Sequence, residues 1–209
     1  MILLLNCSFR GEKSNSNYFL DRLAALLEEE YEKLQLSHEK DTDQLAEKWK
    51  HADAVVLGMP LYVDGAPAQV VEMMENLYAE YQGAFGKLPV YVISNLGFYE
   101  SRQIEIQLEI VKNWCEKMGM TYAGGLAIGA GEMMGGLRNV PLDQGPNKQT
   151  GEGMKRLADA ISSKNVTENI FVEPSGFPRR LYKLCADMSW NKWTKINQLP
   201  KGALYQKRV

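Results

Sequence analysis

A polar loop near the start of the chain carries the residue types that bind an anion. Its hydroxyl, amide and guanidinium groups belong to Ser8, Ser14, Ser16, Asn15, Asn17 and Arg10. These groups donate hydrogen bonds, and a helix predicted to begin at Tyr18 would direct the positive end of its dipole at the loop. The loop therefore predicts a phosphate site, with simple helix capping by Ser14 or Asn15 as the alternative.

An apolar run precedes this loop and must position it. Ile2–Leu5 has the composition of a strand buried on both faces, which we expect to be the central strand of a parallel sheet. Doubly wound α/β proteins bind a phosphate where such a strand leads into a polar loop and a helix. The chain has neither the GxxxxGK pattern of a P-loop nor the GxGxxG pattern of a dinucleotide fold, so those ligands are not the first expectation.

A second loop of defined shape follows the next buried strand, which is predicted over residues 53–58. Pro60 fixes its own φ, and Gly65 can adopt a positive φ. The loop displays three apolar residues at the carboxyl end of the strand, namely Leu61, Tyr62 and Val63. They predict a wall for a flat aromatic ligand, and the alternative is a tight connection in which Tyr62 packs on its neighbours.

A third loop of the same character follows a strand predicted over residues 88–94. It begins with Asn95, Leu96 and Gly97, and the aromatic residue Phe98 comes next. Because the carboxyl ends of parallel strands meet at one edge of a sheet, we expect all three loops to line one crevice. A ligand with a phosphate at one end and a planar, largely apolar group at the other would suit that crevice, and flavin mononucleotide (FMN) has this form.

The first two loops resemble those of a known family. Ser8 and Arg10, followed by the run Ser14-Asn-Ser16 and by Leu20, resemble the phosphate loop of the flavodoxin-like NAD(P)H-dependent FMN reductases. Residues 52–77 resemble the second flavin loop of that family and the helix after it. The two motifs occur in the order that the family requires.

The resemblance covers roughly residues 1–130 and implies a fold. That fold is a flavodoxin-like, doubly wound α/β domain with a five-stranded parallel sheet in the order 2-1-3-4-5, followed by a C-terminal helical extension. Two positions of the first loop depart from the family, since Cys7 stands where glycine is usual and Phe9 where proline is usual.

The resemblance also implies binding roles for twelve residues. The FMN phosphate would be bound by Ser8, Arg10, Ser14, Asn15 and Ser16. The ribityl chain and the isoalloxazine would contact Pro60, Leu61, Tyr62 and Val63, with Asn95, Leu96 and Gly97 at the other edge of the ring. No side chain is expected to act as a catalytic acid or base, and no metal site is expected.

The implied activity is the transfer of hydride from NAD(P)H to bound FMN and then of electrons to a small acceptor. A quinone, a nitroaromatic, an azo compound or free flavin would each fit. Backbone N–H groups of residues 59–65 and 95–99 would stabilise negative charge on the reduced ring. The alternatives are a flavodoxin-type electron carrier, against which the small net charge argues, and an interaction module that binds no flavin.

The rest of the chain supplies the remaining elements of the sheet domain. We expect a helix over residues 18–34, a weak edge strand over 34–36, helices over 41–50, 68–81 and 104–118, a fifth strand over 121–128 and a last helix over 148–164. The glycine-rich segment 129–136 would either permit close approach of a ligand or a second subunit or serve as a connector.

The division of the chain is expected at residue 164. Residues 1–164 would form the FMN-binding domain, and 165–209 a C-terminal helical extension. Within the extension, a helix over 179–196 alternates apolar and basic residues. This pattern predicts packing on the domain or on a partner subunit.

Composition excludes several other classes of function. With 209 residues, 45% of them apolar, and a net charge of −2, the chain offers no electrostatic case for nucleic acid or for an acidic membrane surface. No apolar run is long enough for a signal core or a membrane span. The scattered Cys7, Cys115 and Cys185 predict reduced thiols and a cytoplasmic protein, and the family resemblance makes a homodimer the expected assembly.

Overall fold

Six parallel strands form the sheet on which the loops are mounted. The computed structural model describes residues 1–39, 41–200 and 202–206. Within these residues the strands are β1 Ile2–Asn6, β2 Tyr31–Gln35, β3 Ala54–Pro60, β4 Pro89–Asn95, β5 Thr121–Ile128 and β6 Ile170–Val172. The helices are α1 Asn15–Ala24, α2 Thr42–Lys50, α3 Ala68–Tyr81, α4 Glu105–Met118, α5 Gly131–Gly136, α6 Lys148–Ser162 and α7 Arg179–Ile196.

The strand order is β2-β1-β3-β4-β5-β6. Every residue of β1 is buried, and Ile2 pairs with Tyr31 of β2 on one side and with Ala54 of β3 on the other. The predicted α/β fold and the predicted order of the first five strands are confirmed. β1 is an inner strand, second from the edge, rather than the central one. The chain turns outward to β2 and then back to β3, so the switch of direction lies beside the first loop.

The prediction of five strands is wrong, because β6 pairs with β5. Ile170 lies opposite Leu126 and Val172 opposite Ile128, both in parallel register. Three residues are too few to show a strand pattern in sequence, and the pairing depends on the crossover through α6. The sheet therefore continues past residue 164, where the first domain was expected to end.

The first helix begins and ends earlier than predicted. It begins at Asn15 because the hydroxyl of Ser14 accepts a hydrogen bond from the backbone N–H of Asn17 at 3.0 Å and caps the helix. It ends at Ala24, and Tyr31–Gln35 is a strand although the helical repeat runs on toward Leu34. Pairing of that segment with β1 outweighs its helical pattern.

Helices cover both faces of the sheet. The side chains of α2, α3 and α4 pack on one face, and Trp49, Leu77 and Trp114 belong to this core. The side chains of α1, α5 and α6 pack on the other face with Phe19 and Leu157. All three loops leave the sheet at the carboxyl edge between these two layers.

The glycine-rich segment packs against the chain's own loops. A Cβ at Gly129 would lie 2.0 Å from the carbonyl oxygen of Tyr99, and one at Gly135 would lie 2.0 Å from Oδ1 of Asn15. The N–H of Gly129 donates to the carbonyl of Val172 at 2.9 Å. These glycines do permit a close approach, which is made by the start of α1 and the loop after β4.

The helix predicted over 179–196 forms with those bounds and lies outside the two layers. None of its 18 residues is buried. Its first turns contact the third loop: Arg179 forms an ion pair with Glu100, and the Tyr182 hydroxyl donates to the carbonyl of Gly97. Among the described residues, no helix is long and apolar enough to cross a membrane.

Replacing Gly129 with alanine is expected to lower the free energy of unfolding by about 1–3 kcal/mol, because the backbone of residue 99 would have to move. The control is Gly136→Ala, since nothing lies within 4 Å of a Cβ at that position. Urea unfolding followed by circular dichroism measures both variants. Equal stabilities would contradict the close contact between the two loops.

Candidate functional site

The three loops meet in one cleft at the carboxyl edge of the sheet, with a volume of about 90 Å³. Eleven of the twelve residues proposed from sequence line it, namely Ser8, Arg10, Ser14, Asn15, Ser16, Pro60, Leu61, Tyr62, Asn95, Leu96 and Gly97. Val63 does not, because its side chain is fully exposed. Glu132 lines the cleft too, and sequence reasoning missed it.

Three buried hydroxyls lie at the α1 end of the cleft. Ser14 Oγ accepts from the N–H of Asn17 at 3.0 Å, Ser8 Oγ from the N–H of Arg10 at 3.4 Å, and Ser16 Oγ from Asn95 Nδ2 at 2.9 Å. Each oxygen is thus an acceptor within the protein, and no acceptor for its own proton is found among the described residues. Three O–H donors remain for a ligand.

Backbone amides and one cation complete this donor set. The N–H groups of Asn15 and Ser16 occupy the first turn of α1, where no carbonyl of the helix can accept from them, and they have no partner in the described part of the chain. The exposed guanidinium of Arg10 forms no ion pair within residues 1–39, 41–200 and 202–206. Hydroxyl, amide and guanidinium donors converging at a helix N-terminus fit a phosphate dianion.

Two asparagine side chains hold the loops together. Asn15 Nδ2 donates to the carbonyl of Gly131 at 3.1 Å, which ties α1 to α5. Asn95 Nδ2 donates to Ser16 Oγ and, at 3.4 Å, to the carbonyl of Met59. These amides are engaged within the protein, so their structural effect is to fix the spacing of the three loops.

The second loop ends in a tight turn. The N–H of Tyr62 donates to the carbonyl of Gly65 at 3.2 Å, and the reverse bond measures 3.0 Å. Gly65 can adopt a positive φ, but in the structure the positive φ occurs at Val63, with φ 50°, and at Asp64, with φ 58°. A β-branched residue in this region is strained, because its Cβ crowds the backbone. The turn therefore places Tyr62 over the cleft at a conformational cost.

A buried glutamine that sequence reasoning missed holds the second loop. Gln107 of α4 is fully buried, and its Nε2 donates to the carbonyls of Pro60 at 3.0 Å and Gly65 at 3.3 Å. Its Oε1 accepts from the hydroxyl of Ser94. In the sequence, Gln107 could have been noticed because it is a polar residue on the apolar side of a helical repeat, one position before Leu108.

The third loop lies beside α7. Tyr62 and Phe98 are exposed there, and the N–H groups of Gly97 and Phe98 have no partner among the described residues. The hydroxyl of Tyr182 lies against this loop. Burial raises the pKa of Tyr182, and the carboxylate of Glu132 adds to the rise, so the hydroxyl is protonated at neutral pH.

Solved structures share the fold at low sequence identity. An azoreductase from Bacillus anthracis str. Sterne is 15% identical with a TM-score of 0.55, and the match covers 78% of this chain and 98% of that one. General stress protein 14 from Treponema denticola, solved in complex with FMN, is 10% identical with a TM-score of 0.58, covering 77% and 98%. An NADPH-quinone reductase from P. pentosaceus is 16% identical with a TM-score of 0.51, covering 79% and 96%. No curated protein matches the sequence significantly.

The family is established by sequence. A family model for NADPH-dependent FMN reductases matches residues 1–132, which is more than half of the 209 residues. This match confirms the resemblance stated from the two loop motifs and the cofactors it implied. The chain belongs to the NADPH-dependent FMN reductase family and is an NAD(P)H-dependent flavin oxidoreductase with FMN as its bound cofactor.

Proposed function

We propose that the cleft seats FMN with its phosphate at the start of α1 and its ring across the second and third loops, and that electrons pass from NAD(P)H to a small organic acceptor there. The observation that carries this proposal is the convergence of Arg10 with three hydroxyl protons and two amides that have no partner among the described residues, in a cleft that is also lined by Leu61, Tyr62 and Leu96. The donors match a dianion, and the apolar residues with Tyr62 match a planar ring.

The residues of the chain bind and orient the cofactor. Ser8, Ser14 and Ser16 would donate to phosphate oxygens, and Arg10 would add charge-assisted hydrogen bonds. Pro60, Leu61 and Tyr62 would bear on the ribityl chain and the ring. When bound, FMN supplies a ring system that takes two electrons as hydride and then releases them.

Backbone dipoles supply the electrostatics at the ring. The free N–H groups of Gly97 and Phe98 would donate to the polar edge of the ring, where negative charge accumulates when electrons arrive. Leu61 and Leu96 cannot serve in this way, since their N–H groups already donate to the carbonyls of Asn95 and Ile128. No side-chain acid or base is assigned.

The acceptor belongs to the same proposal. A quinone, a nitroaromatic, an azo compound or free flavin would each fit an open aromatic site. The azoreductase and quinone reductase folds similar to this chain support a small organic acceptor over a protein partner. The alternative is a flavodoxin-type electron carrier. Anaerobic addition of a reduced nicotinamide, described below, distinguishes it from a reductase.

A homodimer is the assembly we expect. The outer surfaces of α3 and α4, which pack side by side, carry four exposed apolar residues, Val71, Tyr78, Ile106 and Ile110. An apolar band of this kind suits an interface between copies of the chain.

Sedimentation equilibrium of the FMN-loaded protein is expected to give about 47 kDa, twice the 23.6 kDa of one chain. A measured mass equal to that of one chain at micromolar protein concentration would contradict the homodimer.

The proposed cellular location is the cytoplasm. Cys7, Cys115 and Cys185 are free thiols in the structure, which suits a reducing compartment.

Anaerobic addition of NADPH or NADH to the FMN-loaded protein is expected to bleach the visible flavin absorbance within seconds. The measurement is stopped-flow absorbance, and NADP⁺ without a hydride is the control. Flavin that bleaches with dithionite but with neither nicotinamide would identify an electron carrier and overturn the reductase proposal.

Arg10→Ala combined with Ser16→Ala is expected to weaken FMN binding on the order of 100-fold. A hydrogen bond to a charged group contributes about 1.5–3 kcal/mol and a neutral one about 1 kcal/mol. Quenching of FMN fluorescence on titration with apoprotein gives the dissociation constant.

The matched control for that experiment is Lys13→Ala. Lys13 is an exposed cation in the same loop, but it does not line the cleft. It should change FMN affinity by less than about threefold, because exposed charges are screened by solvent. If the double variant behaved like Lys13→Ala, the phosphate would have to bind elsewhere.

A further inference from the structure

A second and larger groove adjoins the flavin cleft. It lies between α5 and α7 and has a volume of about 640 Å³, within the range of small-molecule sites. Glu132 lines both the groove and the cleft. Tyr182 lines the groove and donates its hydroxyl proton to the carbonyl of Gly97, which lines the cleft. The two spaces are therefore neighbours that share walls.

The groove is fixed at the ring end of the cleft. The first turns of α7 are held to the third loop by the contacts of Arg179 and Tyr182, and the ring of Tyr182 lies 5.7 Å from that of Tyr99. The hydroxyl of Tyr99 donates to the carbonyl of Phe177 at 2.9 Å, just before the helix. The extension is thus tethered to the loop proposed to bear on the isoalloxazine.

The walls of the groove are aromatic and almost without charge. Trp190 and Trp193 of α7 line one side, and Met133 of α5 lines the other. More than half of the surface of each tryptophan is exposed, 62% and 56%. Glu132 is the one charged residue among those that line the groove in the described chain. Such a lining favours a planar apolar ligand and opposes an anion.

We infer that this groove admits the electron acceptor and selects a neutral, planar aromatic molecule, for example a naphthoquinone, over an anionic one. The inference rests on the proposed function, since the electrons come from the adjoining flavin site. Reduction of a quinone takes two electrons and two protons. One hydride equivalent, originating from NAD(P)H, supplies both electrons and one proton, and solvent supplies the second proton, so the product is the hydroquinone.

Glu132 is the residue that gives the site its preference for neutral acceptors. It is the one described residue that lines both spaces, so an acceptor that reaches from the groove toward the cleft would lie beside its carboxylate. A sulfonated or carboxylated acceptor would meet like charge there, and a neutral quinone would not.

The test compares two variants. One is the double variant with Trp190→Ala and Trp193→Ala, and the other is the control Met188→Ala. Met188 is exposed to a similar extent, 65%, on the same helix, but it does not line the groove. With menadione as the acceptor and FMN-loaded protein, the double variant is expected to raise KM about tenfold or more, since two aromatic surfaces are lost. Met188→Ala should leave KM within about twofold of the parent.

A second variant tests the charge. Glu132→Gln is expected to raise the ratio of kcat/KM for 1,2-naphthoquinone-4-sulfonate to that for menadione by roughly three- to tenfold, as like-charge repulsion is removed. An unchanged ratio would show that the carboxylate does not face the acceptor.

Two further readouts separate the ways in which the inference can fail. Stopped-flow bleaching of the flavin by NADPH reports the proposed function without any acceptor. Normal bleaching with an unchanged KM in the tryptophan variant overturns the groove assignment and leaves the proposed function intact. Sedimentation equilibrium of the same variant must match the parent, because a loss of dimer would show that a second copy covers the groove. If NADPH does not bleach the flavin of the parent protein, both the proposed reductase function and the assignment of the groove to its acceptor are overturned.

Discussion

A buried hydrogen bond from Asn95 to Ser16 sets the geometry on which the rest of the site depends. The bond measures 2.9 Å and joins the end of β4 to the first turn of α1, across the switch point of the sheet. It fixes the width of the cleft between two elements far apart in sequence. It also occupies a lone pair of the Ser16 oxygen, so the hydroxyl proton points away from Asn95 and finds no acceptor among the described residues.

Around the cleft, side-chain amides hold the loops in place, while other polar groups stay without a partner among the described residues. Asn15, Asn95 and Gln107 use their side-chain amides to hold backbone carbonyls, and the donors without a partner among the described residues are hydroxyl protons and backbone N–H groups. Preorganised donors of this kind need not reorient when charge arrives. The strain at Val63 belongs to the same arrangement, because the carbonyls of Pro60 and Gly65 on either side of the turn are held by the buried amide of Gln107.

The sequence predicted the elements that local patterns specify. Long apolar runs located β1, β3, β4 and β5, and helical repeats located α3 and α7 with the bounds found in the structure. The exceptions are segments whose conformation is decided elsewhere in the chain. Residues 31–35 carry a helical pattern but pair with β1, and the three residues of β6 become a strand only beside β5.

The candidate site could be predicted from sequence where its residues follow the ends of strands. Eleven of the twelve proposed residues meet in one cleft because parallel strands present their carboxyl ends together. Gln107 and Glu132 were not found, since each acts on residues that are remote in sequence: the amide of Gln107 reaches a carbonyl 47 positions away. Local spacing carries no information on such contacts.

The C-terminal helix contacts a loop of the cleft without packing into the hydrophobic core. Its sequence is amphipathic, which predicts burial of one face, yet no residue of it is buried. Its contacts run to the third loop through Arg179 and Tyr182 rather than to either layer of helices. An apolar surface left in water is unfavourable in proportion to its area, which favours a cover for this face, either a second subunit or a ligand bound beside the third loop. On the assignment proposed above, the flavodoxin-like sheet would bind the cofactor, and the extension would add a wall against which an acceptor lies.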